Sequence, residues 1–258
     1  MVRPENDLLT IALDAKTGRV LWRVTAPRDR NETLDKRNSP ASPSPATDGK
    51  RLFVFFPDYG LLAYDLAGKQ LWAQRLGPFN NMYGMGASPI LVGGKVILVC
   101  DQAYGSFIAA FDQNTGRERW RTARPEAVSG HSTPILFQPA SGGPAQIIAP
   151  GSFRMDAYSE ETGEAVWWIG GLASEMKSVP VLADGVVYIN GYNMAENDPG
   201  RQVIMPGFDE VIAKHDANRD GKISIEESPD QATKKYFPYV DVNHDGFLDA
   251  AEWRIYAA

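Results

Sequence analysis

The sequence predicts a mainly β fold: a partial β-propeller of about three complete four-stranded blades plus parts of two more, with a small α-helical module at the C-terminus. Three observations carry this. A Trp-ended segment recurs four times, a Pro-led segment recurs in phase with it, and both patterns stop before residue 205, where the composition turns acidic. Two domains are expected, residues 1–200 and 201–258.

The first landmark is ALDAKTGRVLW (12–22), AYDLAGKQLW (63–72), AFDQNTGRERW (110–120) and AYSEETGEAVW (157–167), with the tryptophans 50, 48 and 47 residues apart. The second is SPATDGKRLFVFF from Ser44, SPILVGGKVILVC from Ser88, STPILFQPASGGPAQIIAP from Ser132 and SVPVLADGVVYIN from Ser178. Its prolines, Pro45, Pro89, Pro134 and Pro180, are 44, 45 and 46 residues apart. Two landmarks with one period define a structural repeat. In each repeat the Pro begins a short apolar strand, a DG or GG pair turns the chain, and a run such as KVILV follows as a second strand. A third strand carries A-F-D or A-Y-D, a Gly-containing turn follows, and the last strand delivers the Trp. About four short antiparallel strands per repeat is the unit of a propeller blade. The turn Asp is expected to bond nearby backbone N–H groups and the turn Gly to supply a positive φ. Trp22, Trp72, Trp120 and Trp167 are expected to pack between neighbouring blades.

The repeats open inside one blade at its third strand, complete three blades and start a fifth. Propellers close with about four to eight blades. The remaining blades are therefore expected in a longer chain, and the lack of a signal-peptide pattern in MVRPENDLL says little about location.

Charge and cysteine usage exclude several classes. Residues 205–258 hold 11 Asp/Glu against 6 Lys/Arg, which is −5 of the net −6, so the acidity is local. That fits a cation site and argues against nucleic acid as a partner. Cys100 is the single cysteine, so no intramolecular disulfide and no Cys-based zinc or haem site can form. Its setting, KVILVC, predicts a buried and inert strand thiol. No run of about 18 apolar residues exists, so no membrane span is expected.

The pattern A-x-D-x-x-T-G-x-x-x-W resembles the tryptophan-docking motif of quinoprotein (PQQ-like) β-propeller repeats. Residues 12–22 and 110–120 match it fully; Ser159 replaces the Asp at 157–167, and one residue is deleted at 63–72. The resemblance covers about residues 9–193. It implies blade type and a periplasmic or extracellular location more than an activity, because the family joins dehydrogenases to non-enzymatic assembly proteins. In its alcohol-oxidising branch an adjacent Cys pair lies over the quinone, with an Asp base and calcium-ligating Glu and Asn below. This chain has one Cys, no C-x-x-C-H segment and no constellation that aligns with those ligands, so PQQ is not expected.

The acidic module carries the most specific chemistry. The calcium-loop pattern D-x-[DN]-x-[DN]-G-x5-E is met by Asp216, Asn218, Asp220, Gly221 and Glu227, and again by Asp241, Asn243, Asp245, Gly246 and Glu252. Calcium takes about seven oxygens: side chains at positions 1, 3 and 5, the backbone carbonyl at 7, position 9 often through water, and a bidentate Glu at 12. Positions 7 and 9 are Lys222 and Ser224 in the first loop, Phe247 and Asp249 in the second. Gly at position 6 makes the sharp turn at no steric cost. A paired EF-hand with two Ca2+ sites is therefore expected, and family resemblance pairs Ile223 with Leu248 at position 8. Phe208, Val211 and Ile212 at helical spacing predict a short entering helix. Only the 13 residues SPDQATKKYFPYV separate the loops, with Pro238 inside. The linking helices are thus expected to be short or broken, which suggests a static module rather than a sensor. Four acidic ligands against three make the second site the expected tighter one. His215 and His244 are read as solvated.

Within the propeller, polar residues just before the Pro-led strands are expected to face the central channel. Tyr83, His131 and Lys177 are such candidates, with Arg154 alongside them; the plain reading is a solvated channel lining. The function expected is calcium binding that stabilises a non-catalytic scaffold for a protein or cell-surface polymer. The alternative is part of a PQQ-dependent dehydrogenase.

Overall fold

A computed structural model of the protein describes residues 7–32, 34–139, 142–191, 205–241, 243 and 245–256. The chain divides into two compact units, Met1–Asn193 and Met194–Ala258.

In the first unit β1 (Leu9–Leu13) and β2 (Val20–Thr25) form a hairpin. Three four-stranded antiparallel sheets follow. The first holds β3 (Ala46–Thr47), β4 (Arg51–Phe56), β5 (Gly60–Asp65) and β6 (Gln70–Arg75); the second holds β7 (Ile90–Val92), β8 (Lys95–Cys100), β9 (Phe107–Asp112) and β10 (Glu118–Ala123). The third holds β11 (Ile135–Phe137), β12 (Gln146–Pro150), β13 (Arg154–Ser159) and β14 (Ala165–Gly170), and a hairpin of β15 (Val181–Ala183) and β16 (Val186–Tyr188) comes after it. Within each sheet, strands adjacent in sequence are adjacent in space. The repeat is kept to the residue: Ala12 faces Trp22, Ala63 faces Trp72, Ala110 faces Trp120 and Ala157 faces Trp167. By this register β1–β2 are the third and fourth strands of a blade. By their Pro-led sequence β15–β16 are the first and second.

Alternate residues of the inner strands serve different neighbours, as the two-residue period of a strand requires. Val96, Leu98 and Cys100 of β8 pack with Phe53, Phe55, Leu61 and Ala63 of the blade before. Ile97 and Val99 pack with Ile147, Ala149 and Tyr158 of the blade after. Cys100 is fully buried in the first of these layers, and burial pushes its thiol well above the usual range. The same alternation places Val54 and Phe56 against Leu8 and Ala26.

The tryptophans reach across these joints. Trp22 Nε1 donates to the Leu66 carbonyl at 2.9 Å, Trp72 to the Gln113 carbonyl at 3.0 Å and Trp120 to the Glu160 carbonyl at 3.2 Å. Each acceptor lies in the turn of the following blade. Each indole also lies against that turn's glycine: a Cβ on Gly116 would stand 2.6 Å from Trp72, and one on Gly163 would stand 2.4 Å from Trp120. Trp167 instead donates to Gln146 Oε1 of its own blade at 2.8 Å. The turn aspartates hold the loops in shape. Asp112 Oδ1 accepts from the Asn114 and Thr115 amides and from Thr115 Oγ1, and Asp14 does the same for Lys16 and Thr17. Hydrogen bonding from Arg119, then from Thr115, lowers the Asp112 carboxyl to about 2.

The second unit contains α1 (Phe208–His215), β17 (Ile223–Ser224), α2 (Gln231–Val240), β18 (Phe247–Leu248) and α3 (Ala250–Tyr256). Val211, Ile223, Phe237, Val240, Leu248 and Trp253 form its core. Asp230 caps α2 by accepting from the Thr233 amide at 2.6 Å. The linking segment is short as expected, but it does not break at Pro238, which sits inside a continuous α2. The interruption comes earlier. Pro229 disfavours the helical region for Ser228, and the first loop is left by a turn instead of an exit helix.

Replacing Trp72 by Ala should destabilise the protein by about 3–5 kcal/mol, read from denaturant midpoints. Gly49 and Gly116 separate conformation from contact, because both have positive φ but a Cβ on Gly49 meets nothing within 4 Å. Gly49→Ala should cost about 1 kcal/mol; Gly116→Ala should cost clearly more, and equal costs would contradict the indole contact.

Candidate metal centre

The two acidic loops are built alike, and their backbone amides explain how. In the first, Asp216 Oδ1 accepts from the Arg219 amide at 2.7 Å and Oδ2 from the Gly221 amide at 2.9 Å. Asn218 Oδ1 accepts from the Asp220 amide, and Asp220 Oδ1 from the Lys222 amide, each at 2.9 Å. Glu227 then reaches back over the loop. Its Oε1 accepts from the Ala217 amide at 3.0 Å, and its Oε2 from the Ser224 amide at 3.0 Å and from Ser224 Oγ at 2.8 Å. These bonds, led by that of the Ser224 amide, hold the Glu227 carboxyl below its usual range.

The second loop repeats the arrangement. Asp241 Oδ2 accepts from the Gly246 amide at 2.9 Å, Asn243 Oδ1 from the Asp245 amide at 2.8 Å, and Asp245 Oδ1 from the Phe247 amide at 2.9 Å. Glu252 accepts from the Asn243 and Asp249 amides at 3.2 and 3.1 Å, and Asp249 accepts from the Ala251 and Glu252 amides. Gly221 and Gly246 have φ of 78° and 87°, the turn that position 6 needs. The loops join through Ile223 opposite Leu248 and Ser224 opposite Phe247, with both apolar residues fully buried. His215 ends α1, and His244 lies outside the described residues.

Among the described residues no three carboxylate, imidazole or thiol groups stand together as a tight cluster. The loop carboxylates are spread over their own loop's amides. In chemistry the donor set fits a hard divalent cation: it is all oxygen, with three carboxylates in one loop and four in the other, and Glu closes each loop from its far end. Asp216, Asn218, Asp220 and Glu227, with the Lys222 carbonyl and Ser224, would hold one ion. Asp241, Asn243, Asp245 and Glu252, with the Phe247 carbonyl and Asp249, would hold the other.

The propeller unit has a separate polar feature. The four segments connecting successive blades meet around a cavity of about 530 Å³, to which Tyr83, His131 and Lys177 all contribute. Arg154 is not part of it: its guanidinium bonds to Asp156 and lies 4.6 Å over the Trp168 ring. Asp35, Arg37 and Glu175 also line the cavity and escaped notice in the sequence, since Asp35 and Arg37 lie in a stretch without either landmark. Their charges balance. Arg37 Nε donates to Asp35 at 2.7 Å and Lys177 to Glu175 at 2.9 Å, so the cations there are neutralised rather than set for an anion. The Tyr83 ring meets His131 edge-on at 6.0 Å, and His131 Nε2 is buried without a hydrogen-bond partner among the described residues. Burial lowers the imidazole pKa, so it is neutral at pH 7.

Comparison with known proteins is consistent with both units. A family model described as outer membrane protein assembly factor BamB matches residues 6–105 and 104–204, and an EF-hand model matches 208–227 and 233–255. The chain is 30% identical over 169 residues to quinohemoprotein alcohol dehydrogenase ADH IIB of Pseudomonas putida, which covers 62% of this chain and 22% of that protein. It is 29% identical over 171 residues to quinoprotein alcohol dehydrogenase PedH of Pseudomonas putida, covering 62% and 27%. It thus spans about a quarter of the length of these relatives. Among solved structures, BamB from Moraxella catarrhalis superposes with a TM-score of 0.49 at 19% identity, covering 71% of this chain and 58% of that one.

The lowered His131 pKa gives a signed pH effect. A group that resists protonation when folded contributes stability above its ordinary pKa of 6.5, and this is lost as pH falls through the lowered value. The thermal midpoint should therefore fall between pH 7 and pH 5, and His131→Gln should shrink that fall; an unchanged slope would show that the imidazole is not buried as described.

Proposed function

The chain belongs to the repeat family whose model is described as outer membrane protein assembly factor BamB, and on that premise we propose a calcium-stabilised, non-catalytic propeller scaffold that captures a protein or cell-surface polymer. The working location is the periplasm or the cell exterior. The calcium part is carried by one observation: Glu227 and Glu252 each clasp amides from both ends of their own loop, so that position 12 stands across the ring of oxygens in both. Two ions are proposed, one per loop. Each would add folding free energy as RT ln(1 + [Ca]/Kd), because the ligand set exists only in the folded loop. The role is static. A sensor opens by swinging a helix pair apart, and the turn after the first loop leaves that loop without a second helix to swing. The charge-balanced cavity, with its aromatic edge and paired ions, supports recognition of a neutral polar surface over an anion.

A second reading, part of a PQQ-dependent dehydrogenase, is favoured by the 30% identity to ADH IIB. It would draw its quinone ligands from sequence beyond this chain, because Cys100 is buried between blades. The two readings separate on turnover by the full-length gene product: with PQQ and calcium added, dye reduction supports the dehydrogenase and its absence supports the scaffold.

Calorimetric titration of chelator-treated protein should show two calcium sites. Glu227→Gln and Glu252→Gln should each remove one and leave the other, and no heat in the unmodified protein would sink the calcium reading.

A further inference from the structure

Lys222 stands at position 7 of the first loop, where the backbone carbonyl is the ligand and the side chain has no calcium role. That side chain crosses to the other loop. Its Nζ passes 5.2 Å from the centre of the Phe247 ring and ends 2.9 Å from Asp245 Oδ2. Asp245 is position 5 of the second loop, and its Oδ1 already accepts from the Phe247 amide. The ammonium therefore sits on the other carboxylate oxygen, while the Asn243 side chain also bonds this carboxyl. The relation is not reciprocal. Position 7 of the second loop is the uncharged Phe247, and among the described residues Asp220 Oδ2 accepts from Asn218 Nδ2 of its own loop at 3.0 Å, with Lys222 acting on Asp220 through space and not by a hydrogen bond.

We propose that Lys222 is an affinity-setting residue of the second calcium loop, an internal cation that competes with the metal for Asp245. This rests on the calcium reading above and adds to it a named source of asymmetry. By carboxylate count the second loop should bind more tightly, four against three. The Lys222 charge offsets one of the four, so the two loops act on a cation with more nearly equal charge. The pair also bridges the loops beside the two-residue ladder of Ile223 and Leu248, so it holds them together independently of the metal. Asp245 would hold calcium more freely with the ammonium withdrawn, and the Lys222 side chain, 42% exposed, has solvent to withdraw into.

The test isolates the second loop in Glu227→Gln protein, then adds Lys222→Met or Lys222→Arg. Met keeps an unbranched stem and the backbone carbonyl while removing the charge. Calcium affinity by calorimetry should tighten by about two- to fivefold with Met, the range expected for removing an exposed competing pair. It should stay close to the parent with Arg, which keeps the cation. Unchanged or weaker binding with Met, or equal tightening with Arg, overturns the role of Lys222 alone. No calcium uptake by the unmodified protein overturns the calcium reading and this inference together.

Discussion

The indole of Trp72 lies on Gly116 of the next blade and donates to the Gln113 carbonyl, and Trp22 and Trp120 make the same reach to Gly68 and Gly163. This contact fixes how one blade follows another, and the packing around it depends on the same joint. No blade has a core of its own, because alternate residues of β4, β8 and β12 are shared with the blade before and the blade after. Arg124 adds a polar lock to the joint. Its side chain, 1% exposed, bonds Asp101 at 2.7 Å and the Tyr158 hydroxyl of the next blade at 2.8 Å. A buried guanidinium is tolerable only with such complete pairing. Burial raises Asp101 against the opposing pull of Arg124, and raises Tyr158 to about 12.

The acidic unit follows a different rule. Its six core side chains are few, and its order comes from polar closure: loop amides turned onto carboxylates, and a two-residue ladder joining the loops. Carboxylates gathered in this way repel one another. The inward amides and the Lys222 ammonium offset part of that repulsion, and a bound divalent cation would offset much more. The oxygens that close the loops are the ones a divalent cation would take.

Most of the blade pattern was legible because each landmark answers a local demand that recurs. The turn glycines Gly68, Gly116 and Gly163 sit where an indole leaves no room for a side chain, and the turn aspartates Asp14 and Asp112 sit where amides need an acceptor. The loop residues were legible for the same reason, since position 6 and position 12 have stereochemical requirements that few residues meet. What the sequence hid depends on pairs distant in the chain. Arg124 and Asp101 carry no periodic signature, and Arg37 with Asp35 precedes the first Pro-led strand in a stretch without landmarks. Lys222 at position 7 reads as an exposed lysine until the second loop is placed beside it. Pro238 drew attention as a helix breaker, whereas the effective break is at Pro229, whose ring acts on the residue before it.

The most direct test of the account is a crystal structure of the protein grown with calcium, examined by anomalous scattering. The account predicts two peaks, one within about 2.3–2.6 Å of oxygens from Asp216, Asp220 and Glu227 and the other from Asp241, Asp245 and Glu252, with Lys222 Nζ withdrawn from Asp245. Loops free of any peak at saturating calcium, or a peak in the second loop with the Lys222–Asp245 pair intact, would contradict it.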